Sequence, residues 1–406
     1  MTVGLRTLAD LGEVAGAHVF VRVDFNVPMH AGEVTDDTRI RAAVPTIRAL
    51  LGRGATLVLG SHLGRPAGER RDDFTLAPVA HHLVRVLNGV DVVALGMPGD
   101  DGVAAAVGSI PPGGVGLLEN LRFDPGEEAN DPRFAGTMAE LVDAYVDDAF
   151  GAVHRAHASV VALPELLLAT GRPAVAGRLL QREVEVLGAL LDEPERPFVA
   201  VLGGAKVSDK LGVIDALIER VDTLLIGGAM AFTLLAAEGA SVGRSLVERE
   251  RLEEARTALA AAAARAVRVE LPVDVVAAAA VDAAAPTTVV DARAIPDDLL
   301  GLDIGPRTVE RFAAALAGAR TIFWNGPMGV FELPPFSHGT SGVARAAAAA
   351  AEGGAFGVVG GGDSLAAVAA SGLGDSFDHL STGGGAALEF LEGRTLPGIA
   401  ILEDRT

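Results

Sequence analysis

Short apolar runs rich in valine and leucine alternate with longer helical patterns along this chain. In the first half the runs are HVFVRV (18–23), TLVLG (56–60), VDVVAL (90–95), GVGLLEN (114–120) and AYVDDAF (144–150). A helical pattern spans 37–54, and we expect Gly54 to cap its C-terminus. This alternation predicts an α/β fold with a parallel sheet covered by helices, in which ligands bind beyond the carboxyl ends of the strands.

Polar side chains follow these runs at the points where strands should end. They are Asp24 and Asn26 after the first run, His62 and Arg65 after the second, Arg122 after the fourth and Arg155 after the fifth. Arg39 falls in the first turn of the helical pattern, where free backbone N–H groups also favour an anion. The whole chain has a net charge of −20, so this group of cations predicts a local pocket for a carboxylate or phosphate. A surface salt bridge is the alternative for any single arginine.

The second half keeps the same rhythm but ends its strands in glycine. The segments are 221–230, 319–332, 355–364 and 381–390. Glycine turns let a backbone approach a ligand and aim N–H groups at it, so several of them on one sheet edge predict a nucleotide site. Asp363 follows three glycines and opens a helix, which suits a carboxylate that tethers Mg²⁺ beside phosphates. A simple N-cap is the alternative for an isolated aspartate there.

Lysine occurs at two positions in the whole chain, Lys206 and Lys210, both in GGAKVSDK (203–210). Lysine is a compact charge on a flexible stem and arginine is a planar fork, so a phosphoryl group in transfer suits lysine better. The stretch follows the apolar run FVAVL (198–202) and precedes a helical pattern at 211–220. Residues four apart share a helix face, so we expect both ammonium groups to reach one anion at the helix N-terminus. Two solvated surface lysines are the alternative.

The length of 406 residues favours two domains. AGRLLQREVEVLGALLDEPERP (176–197) has apolar residues at helical spacing and then a turn rich in proline and acid, which predicts a connecting helix and a boundary near 190. ERERLEEARTALAAAAARAVRVE (248–270) has the pattern of a charged amphipathic helix and no functional signal.

Composition excludes several classes of function. The acidic balance argues against a general nucleic-acid or anionic-membrane binder. The absence of cysteine excludes disulfides, thiolate catalysis and cysteine-bound metals. The N-terminus has no apolar signal region and no uncharged apolar run reaches about 18 residues, so we expect a soluble, cytoplasmic protein. Neither a Walker motif nor a dinucleotide-binding glycine motif occurs, which excludes both of those nucleotide sites.

Ten segments, in order and spacing, resemble phosphoglycerate kinase along essentially the whole chain. They are VRVDFNVP (21–28), DDTRIRAA (36–43), SHLGRP (61–66), LLENLRF (117–123), DDAFGAVHRAHAS (147–159), RPFVAVLGGAKVSDK (196–210), GLDIGP (301–306), WNGPMGVFE (324–332), GGGDS (360–364) and STGGGAALEFLEG (381–393). The resemblance implies two doubly wound parallel-sheet lobes around a cleft. The expected divisions are a phosphoglycerate lobe at 1–177, a hinge helix at 178–192, a nucleotide lobe at 193–390, and a tail at 391–406 that packs back on the first lobe.

The resemblance also implies a reaction and its participants. The reaction is reversible, Mg²⁺-dependent transfer of the acyl phosphate of 1,3-bisphosphoglycerate to ADP, which gives 3-phosphoglycerate and ATP in glycolysis and gluconeogenesis. The expected cofactor is Mg²⁺ bound to the nucleotide, and the expected state is a monomer without nucleic-acid or membrane partners.

Family roles transfer to matching positions in this sequence. The expected phosphoglycerate site comprises Asp24, Asn26, Arg39, His62, Arg65, Arg122 and Arg155. The expected nucleotide site comprises Lys206, Lys210, Gly301, Asn325, Glu332, Gly361, Gly362, Asp363 and Ser364, with Asp363 towards the metal. Arg39, Lys206 and Lys210 are the expected catalytic residues, and the N–H groups of Gly383 and Gly384 are expected to contact the transferring phosphoryl group.

The chain departs from the family pattern at a few positions. Val153 stands where a small residue or threonine is usual, and Ala229 and Phe232 stand where glycine and tyrosine are usual. The pair Pro334–Pro335 is also unusual. None of these positions carries an assigned chemical role, and the changes bear on the detail of the nucleotide pocket.

Two competing functions remain open at this point. A nicotinamide-dependent dehydrogenase also uses doubly wound lobes and glycine turns, but the missing dinucleotide motif and the two-lysine turn count against it. A non-catalytic anion-binding or scaffolding protein would not require Lys206, Asp363 and Arg39 together.

Overall fold

Parallel strands and helices alternate along the chain, and this confirms the predicted α/β class. The structure is a computed structural model that describes residues 4–404. Two compact units are present. The second unit is Val186–Arg394, and the first comprises the chain up to Glu185 together with the stretch from Thr395 onwards.

The first unit is built on a parallel sheet with the strand order β5-β6-β4-β1-β7-β8. Its strands are β1 (His18–Arg22), β2 (Met29–His30), β3 (Glu33–Val34), β4 (Thr56–Gly60), β5 (Val92–Ala94), β6 (Val115–Leu117), β7 (Ala144–Asp147) and β8 (Ala174–Ala176), where β2 and β3 form a separate antiparallel pair. Its helices are α1 (Thr38–Leu51), α2 (Ala77–Leu87), α3 (Val103–Gly108), α4 (Pro125–Glu128), α5 (Pro132–Ala139) and α6 (Ala162–Ala169), followed by the connecting helix α7 (Arg178–Leu191).

Burial on both faces explains why the central strands are nearly continuous apolar runs. Every residue of β4 is buried, and β1 is buried after its first residue. The chain runs outward from β1 through β4 on one side and returns to pair β7 on the other. The order therefore reverses beside β1, and the carboxyl end of β1 is where a ligand site is expected.

The second unit repeats this plan with a parallel sheet of order β12-β10-β9-β17-β18-β19. Its strands are β9 (Phe198–Leu202), β10 (Thr223–Ile226), β11 (Ser241–Val242), β12 (Arg268–Glu270), β13 (Asp274–Ala278), β14 (Thr288–Asp291), β15 (Ala294–Ile295), β16 (Leu300–Ile304), β17 (Thr321–Asn325), β18 (Phe356–Gly360) and β19 (His379–Ser381). Its helices are α8 (Leu211–Ile218), α9 (Met230–Ala237), α10 (Leu252–Ala264), α11 (Pro306–Leu316), α12 (His338–Glu352), α13 (Gly362–Ala370) and α14 (Gly385–Leu391).

The strand order of the second sheet reverses between β9 and β17. β9 pairs with β10 on one side and with β17 on the other, in parallel register. An additional antiparallel sheet of order β14-β13-β16 belongs to the same unit. The loop after β9 carries both lysines and β17 ends at Asn325, so these residues meet at the switch point.

The last described residues contact the first unit. Helix α15 (Pro397–Ala400) begins the stretch, and the N–H of Gly398 donates to the carbonyl oxygen of Val153 at 2.9 Å. Arg6 donates from its backbone N–H to Leu402 and from its side chain to the carbonyl oxygen of Ile401. Val153 is fully buried under this stretch, so a larger apolar residue there fills space against the tail.

Two expectations about helix ends are wrong. The C-cap of α1 is Gly52, and Gly54 lies two residues further on with a φ of +80°. The interpretation of 248–270 as one helix fails because Ala266 adopts a φ of +58°, which ends α10 and lets the chain enter β12. None of the helices in residues 4–404 has both the length and the apolar character needed to span a membrane.

Candidate active site

In the first unit, Asp24 and Asn26 fix the geometry of two neighbouring segments at the carboxyl end of β1. The Asp24 carboxylate accepts a hydrogen bond of 2.6 Å from the Arg39 guanidinium, whose side chain stays 31% exposed. Arg39 is the second residue of α1, so the prediction that it lies in a first helical turn is confirmed. The Asn26 side-chain oxygen accepts a 2.9 Å hydrogen bond from the N–H of Gly64, which lies in the loop after β4. Arg39 is thus oriented by Asp24 and still open to a ligand.

Arg122 contacts the same loop, and Arg155 lies near enough to act on the charge of Arg122. Arg122 is buried, donates to the carbonyl oxygen of Gly64 at 2.8 Å and lies 3.2 Å from Glu128. Burial is the largest influence on Arg122 and lowers its pKa below the ordinary value, with Arg155 among the nearby charges that act in the same direction. Arg65 is exposed beside Gly64. The structure therefore brings the predicted cations together around one loop.

Arg22 lies beside His62 and was not among the predicted site residues. It is the last residue of β1, it is fully buried, and its guanidinium lies 3.2 Å from Nδ1 of His62. A guanidinium can only donate, so Nδ1 of His62 accepts and the proton of the neutral ring is on Nε2. Burial and then the charges of Arg22, Arg122 and Arg39 hold the pKa of His62 well below its usual range. His62 is therefore a neutral N–H donor.

A buried network holds Arg22 in place. Its Nε donates to the Ser159 hydroxyl at 2.8 Å, and that hydroxyl donates to the Glu127 carboxylate at 2.6 Å. The signal available in the sequence was a single charged residue inside an otherwise apolar central strand. A charge buried in such a place requires partners, and its partners come from distant parts of the chain.

In the second unit, both lysines line one pocket, but not in the predicted way. Residues 203–210 form an irregular loop, α8 begins at Leu211, and Lys210 is its N-cap, so the expected shared helix face is wrong. Lys206 is exposed, and Lys210 donates from Nζ to the side-chain oxygen of Asn325. Burial lowers the pKa of Lys210 to about 8, while Asp209 and Asp363 oppose that shift. The pocket therefore holds one exposed ammonium group and one that is engaged by Asn325.

The pocket around these lysines is built for close backbone approach. Besides Lys206 and Lys210, its lining includes Asn325, Gly326, Gly361, Gly362, Asp363, Ser364 and Gly384. Gly361 has a φ of +91°, and a Cβ there would lie 3.0 Å from Nδ2 of Asn325. That amide nitrogen is buried without a hydrogen-bond partner. An unsatisfied donor beside glycines and lysines fits an anionic ligand.

A second, apolar cavity of about 370 Å³ adjoins the lysine pocket and shares Gly204, Ala205, Pro327 and Asp363 with it. Its walls include the predicted residues Gly301 and Glu332 and the two departures Ala229 and Phe232. A Cβ on Gly301 would lie 2.2 Å from the Phe232 ring, so the position of this ring requires glycine at 301. Pro334–Phe336 forms a short 3₁₀ turn outside this lining. The cavity has the shape and polarity for a planar apolar group.

The turn before α14 provides the remaining predicted residues. Gly384 has a φ of +56°, lines the lysine pocket and is the N-cap of α14. The N–H of Gly383 donates to the Ser381 hydroxyl at 3.3 Å. Only a long bond engages it, and a better acceptor can displace that contact.

The residues fit a magnesium ion that arrives with phosphates rather than a metal held by protein alone. Within residues 4–404 there is no group of three or more histidine or acidic side chains placed to bind a metal. Asp363 is exposed, opens α13 and lines the same pocket as both lysines. A single carboxylate beside phosphates is the arrangement in which Mg²⁺ keeps most of its water.

Comparison with known proteins is consistent across sequence and structure. A family model described as phosphoglycerate kinase matches residues 8–394. Phosphoglycerate kinase of Thermus thermophilus is 56% identical over 399 residues, 98% of this chain and 100% of that protein. Phosphoglycerate kinase of Salinispora arenicola is 56% identical over 409 residues, with 98% of this chain and 100% of that protein covered.

Solved structures agree. The structure of phosphoglycerate kinase from Coxiella burnetii has a TM-score of 0.84 at 41% identity, and that from Pyrococcus horikoshii has a TM-score of 0.85 at 33% identity. Each comparison covers 98% of both chains. The chain therefore belongs to the phosphoglycerate kinase family.

Proposed function

We propose that the chain transfers the acyl phosphate of 1,3-bisphosphoglycerate to ADP, which gives 3-phosphoglycerate and ATP, and that it catalyses the reverse reaction as well. Its membership of a family of glycolytic kinases is the basis for this assignment. The observation that carries the proposal is the lysine pocket that opens into an apolar cavity, because a nucleotide has an anionic end and a planar apolar end.

The first unit binds the phosphoglycerate. Arg122 and Arg155 supply charge for its anionic groups, with Arg65 exposed beside them, and His62 adds a neutral N–H donor. Asp24 orients Arg39 through their 2.6 Å ion pair, and Asn26 fixes the loop after β4 through Gly64. Asp24 and Asn26 hold the site in shape, and Asn26 adds polar contacts to the ligand.

The second unit binds the nucleotide. The base lies in the apolar cavity against Gly301, and the ribose lies near Glu332. The phosphates lie among Lys206, Lys210 and the run Gly361–Ser364. Nδ2 of Asn325 gives its unused hydrogen to a phosphate oxygen, and the Ser364 hydroxyl holds the adjacent turn by accepting from the N–H of Gly326 at 2.6 Å.

Asp363 would hold the magnesium ion that accompanies the nucleotide. The bound ion would supply positive charge that offsets the charge of the phosphates. The residues of the chain provide the rest of the electrostatic support.

The chemistry needs positioning rather than a strong base. The bond from phosphorus to the carboxyl oxygen breaks, a new bond forms to a terminal oxygen of ADP, and the carboxylate leaves already ionised. Arg39 and Lys206 neutralise the phosphoryl group in flight, and the amides of Gly383 and Gly384 donate to its oxygens. Arg39 belongs to the first unit and Lys206 to the second.

The test is coupled turnover of ATP with 3-phosphoglycerate and Mg²⁺, beside a control mixture without the phosphoglycerate. Turnover in the full mixture alone supports the proposal. Binding of both ligands without turnover favours a non-catalytic anion-binding protein. An absorbance change with NAD favours a dehydrogenase. The same family role leads us to propose that the protein works as a cytoplasmic monomer, which sedimentation and cell fractionation can test.

A further inference from the structure

We propose that Glu248 is a positioning residue that holds the loop with Lys206 and Lys210 in its phosphate-binding conformation. This inference rests on the proposed function and goes beyond it, because it gives a role to a residue outside the nucleotide and phosphoglycerate sites. Glu248 begins the stretch 248–270, to which the sequence analysis assigned no functional signal.

The Glu248 carboxylate binds the loop at its middle. One oxygen accepts from the Ser208 hydroxyl at 2.6 Å, and the other accepts from the backbone N–H of Ser208 at 3.1 Å. Ser208 lies two residues from each lysine. A carboxylate that accepts two such bonds from one residue fixes both the position and the direction of the backbone there.

The ionised form of Glu248 is the one that the fold favours. Partial burial acts to raise the pKa of Glu248, but hydrogen bonds from Ser208 and from the backbone of Val207, together with the charge of Lys206, outweigh it and lower that pKa. The carboxylate is therefore charged at neutral pH, when it accepts most strongly.

The loop has reason to need an external support. It is irregular between β9 and α8, and Gly204 at its start has a φ of +110°. Glu248 is itself anchored, because its N–H donates to the hydroxyl of Thr233 at 3.1 Å, and Thr233 is buried in α9. The support therefore runs from a packed helix through Glu248 to the lysine loop.

The same short segment, Ser245–Glu248, also touches the apolar cavity. The Ser245 hydroxyl accepts from the N–H of Gly301 at 2.9 Å, and the side chain of Leu246 lines the cavity. One end of the segment thus fixes the wall for the base, and the other end fixes the loop for the phosphates. Loss of the Glu248 contact should therefore weaken binding of the nucleotide phosphates and leave the cavity wall around the base unchanged.

The experiment measures the binding of two probes, ADP and adenosine, to the full chain. No magnesium is added. In Glu248→Ala we expect the dissociation constant for ADP to rise about tenfold, which corresponds to about 1.4 kcal/mol, while that for adenosine changes less than about twofold. Ser208→Ala should show a smaller loss of the same kind. The double variant should bind ADP no more weakly than Glu248→Ala, because both changes remove one shared contact.

Glu250→Ala is the matched control, because Glu250 carries the same charge two residues away and is exposed. It should leave both dissociation constants unchanged. Equal weakening of ADP and adenosine in Glu248→Ala, or no weakening of ADP, would overturn the inference. Failure of the unaltered chain to turn over its substrates is a different result, which counts against the proposed function and leaves the comparison of the two probes intact.

Discussion

The two units of the molecule are both built on a six-stranded parallel sheet, with different strand orders, and they form their sites from different chemical groups. At the switch point of the first sheet, the site consists of side chains such as Arg39 and Arg122 that are already engaged by protein acceptors. At the switch point of the second sheet, glycine turns and two lysines surround a pocket that contains a buried, unpartnered amide nitrogen. One parallel sheet thus carries charged side chains at its switch point, and the other carries glycine turns that allow close backbone approach.

This difference suggests a division of labour. A small ligand with several anionic groups is recognised by guanidinium groups held in fixed directions, since each offers a planar pair of donors. A nucleotide that changes its number of phosphates during the reaction needs N–H groups that can be approached closely and an ammonium group that can follow. This comparison can be tested by substitutions that alter the arginine side chains of the first unit or the glycine turns and lysines of the second unit, one at a time.

The largest effect is expected for Arg39→Ala. The change removes the guanidinium that the proposed mechanism places at the transferring group, and it leaves the Asp24 carboxylate without its 2.6 Å partner. We expect turnover to fall because about 2–4 kcal/mol of transition-state stabilisation is lost, while the dissociation constant for ADP stays the same. Steady-state kinetics and ADP titration measure the two quantities.

Arg41→Ala is the control for Arg39→Ala, because Arg41 lies on the same helix in an exposed ion pair with Asp37. Its turnover should match that of the unaltered chain. Unchanged turnover in Arg39→Ala would remove Arg39 from the reaction and leave the first unit as a binding site alone.

A smaller loss, of about tenfold to a hundredfold in turnover, is expected for Lys206→Arg. The charge is kept, but a planar fork cannot follow the moving phosphoryl group as an exposed ammonium on a flexible stem does. Rapid-quench measurement of a single turnover isolates this step from product release. Near-normal activity would contradict the idea that the second unit relies on mobile rather than fixed charge.

Much of this architecture could be predicted from the sequence because its signals are local. The run at 56–60 is β4 as predicted, and polar residues at strand ends do meet around Gly64. The prediction that Lys206 and Lys210 share a helix face was wrong, because α8 begins at Leu211 and the glycines before it favour a loop.

Contacts between residues far apart in the chain could not be predicted from the sequence. Arg22 meets Ser159 across 137 positions, and Glu248 meets Ser208 across 40. Their pairing depends on which strands and helices become neighbours, and nothing in the local pattern of either residue states that. The charge of Arg22 inside an apolar strand was visible, but its link to His62 was not.

The glycine turn before α13 can be tested at Gly361, with Gly318 as the matched control outside the site. A Cβ at Gly361 would meet Nδ2 of Asn325 at 3.0 Å and would force alanine into a φ of +91°, whereas a Cβ at Gly318 meets nothing within 4 Å. We expect Gly361→Ala to weaken ADP binding by about tenfold, in line with backbone strain of about 1–2 kcal/mol. Gly318→Ala should bind ADP as before, and phosphoglycerate binding should not change in either variant.

Equal ADP affinities in Gly361→Ala and Gly318→Ala would break the comparison between the units. They would mean that close backbone approach at this turn contributes nothing and that the lysines alone carry nucleotide recognition. Calorimetric titration of the two variants side by side distinguishes these outcomes.

The smallest effect is expected at His62, whose protonation state should not change with pH if the charged groups of the first unit are fixed. Arg22 donates to Nδ1, and burial with the charges of Arg22, Arg122 and Arg39 lowers the pKa of His62 well below 6.5. The folded state therefore disfavours protonation of His62, and the ring stays neutral with its proton on Nε2 as pH falls from 8 to about 6. Nitrogen NMR of the ring, assigned through His62→Gln, reports both the tautomer and the titration, with free imidazole as the reference. A proton on Nδ1, or a midpoint near that of free imidazole, would show that Arg22 does not lock the ring, and the first unit would then contain a pH-sensitive donor among its fixed charges.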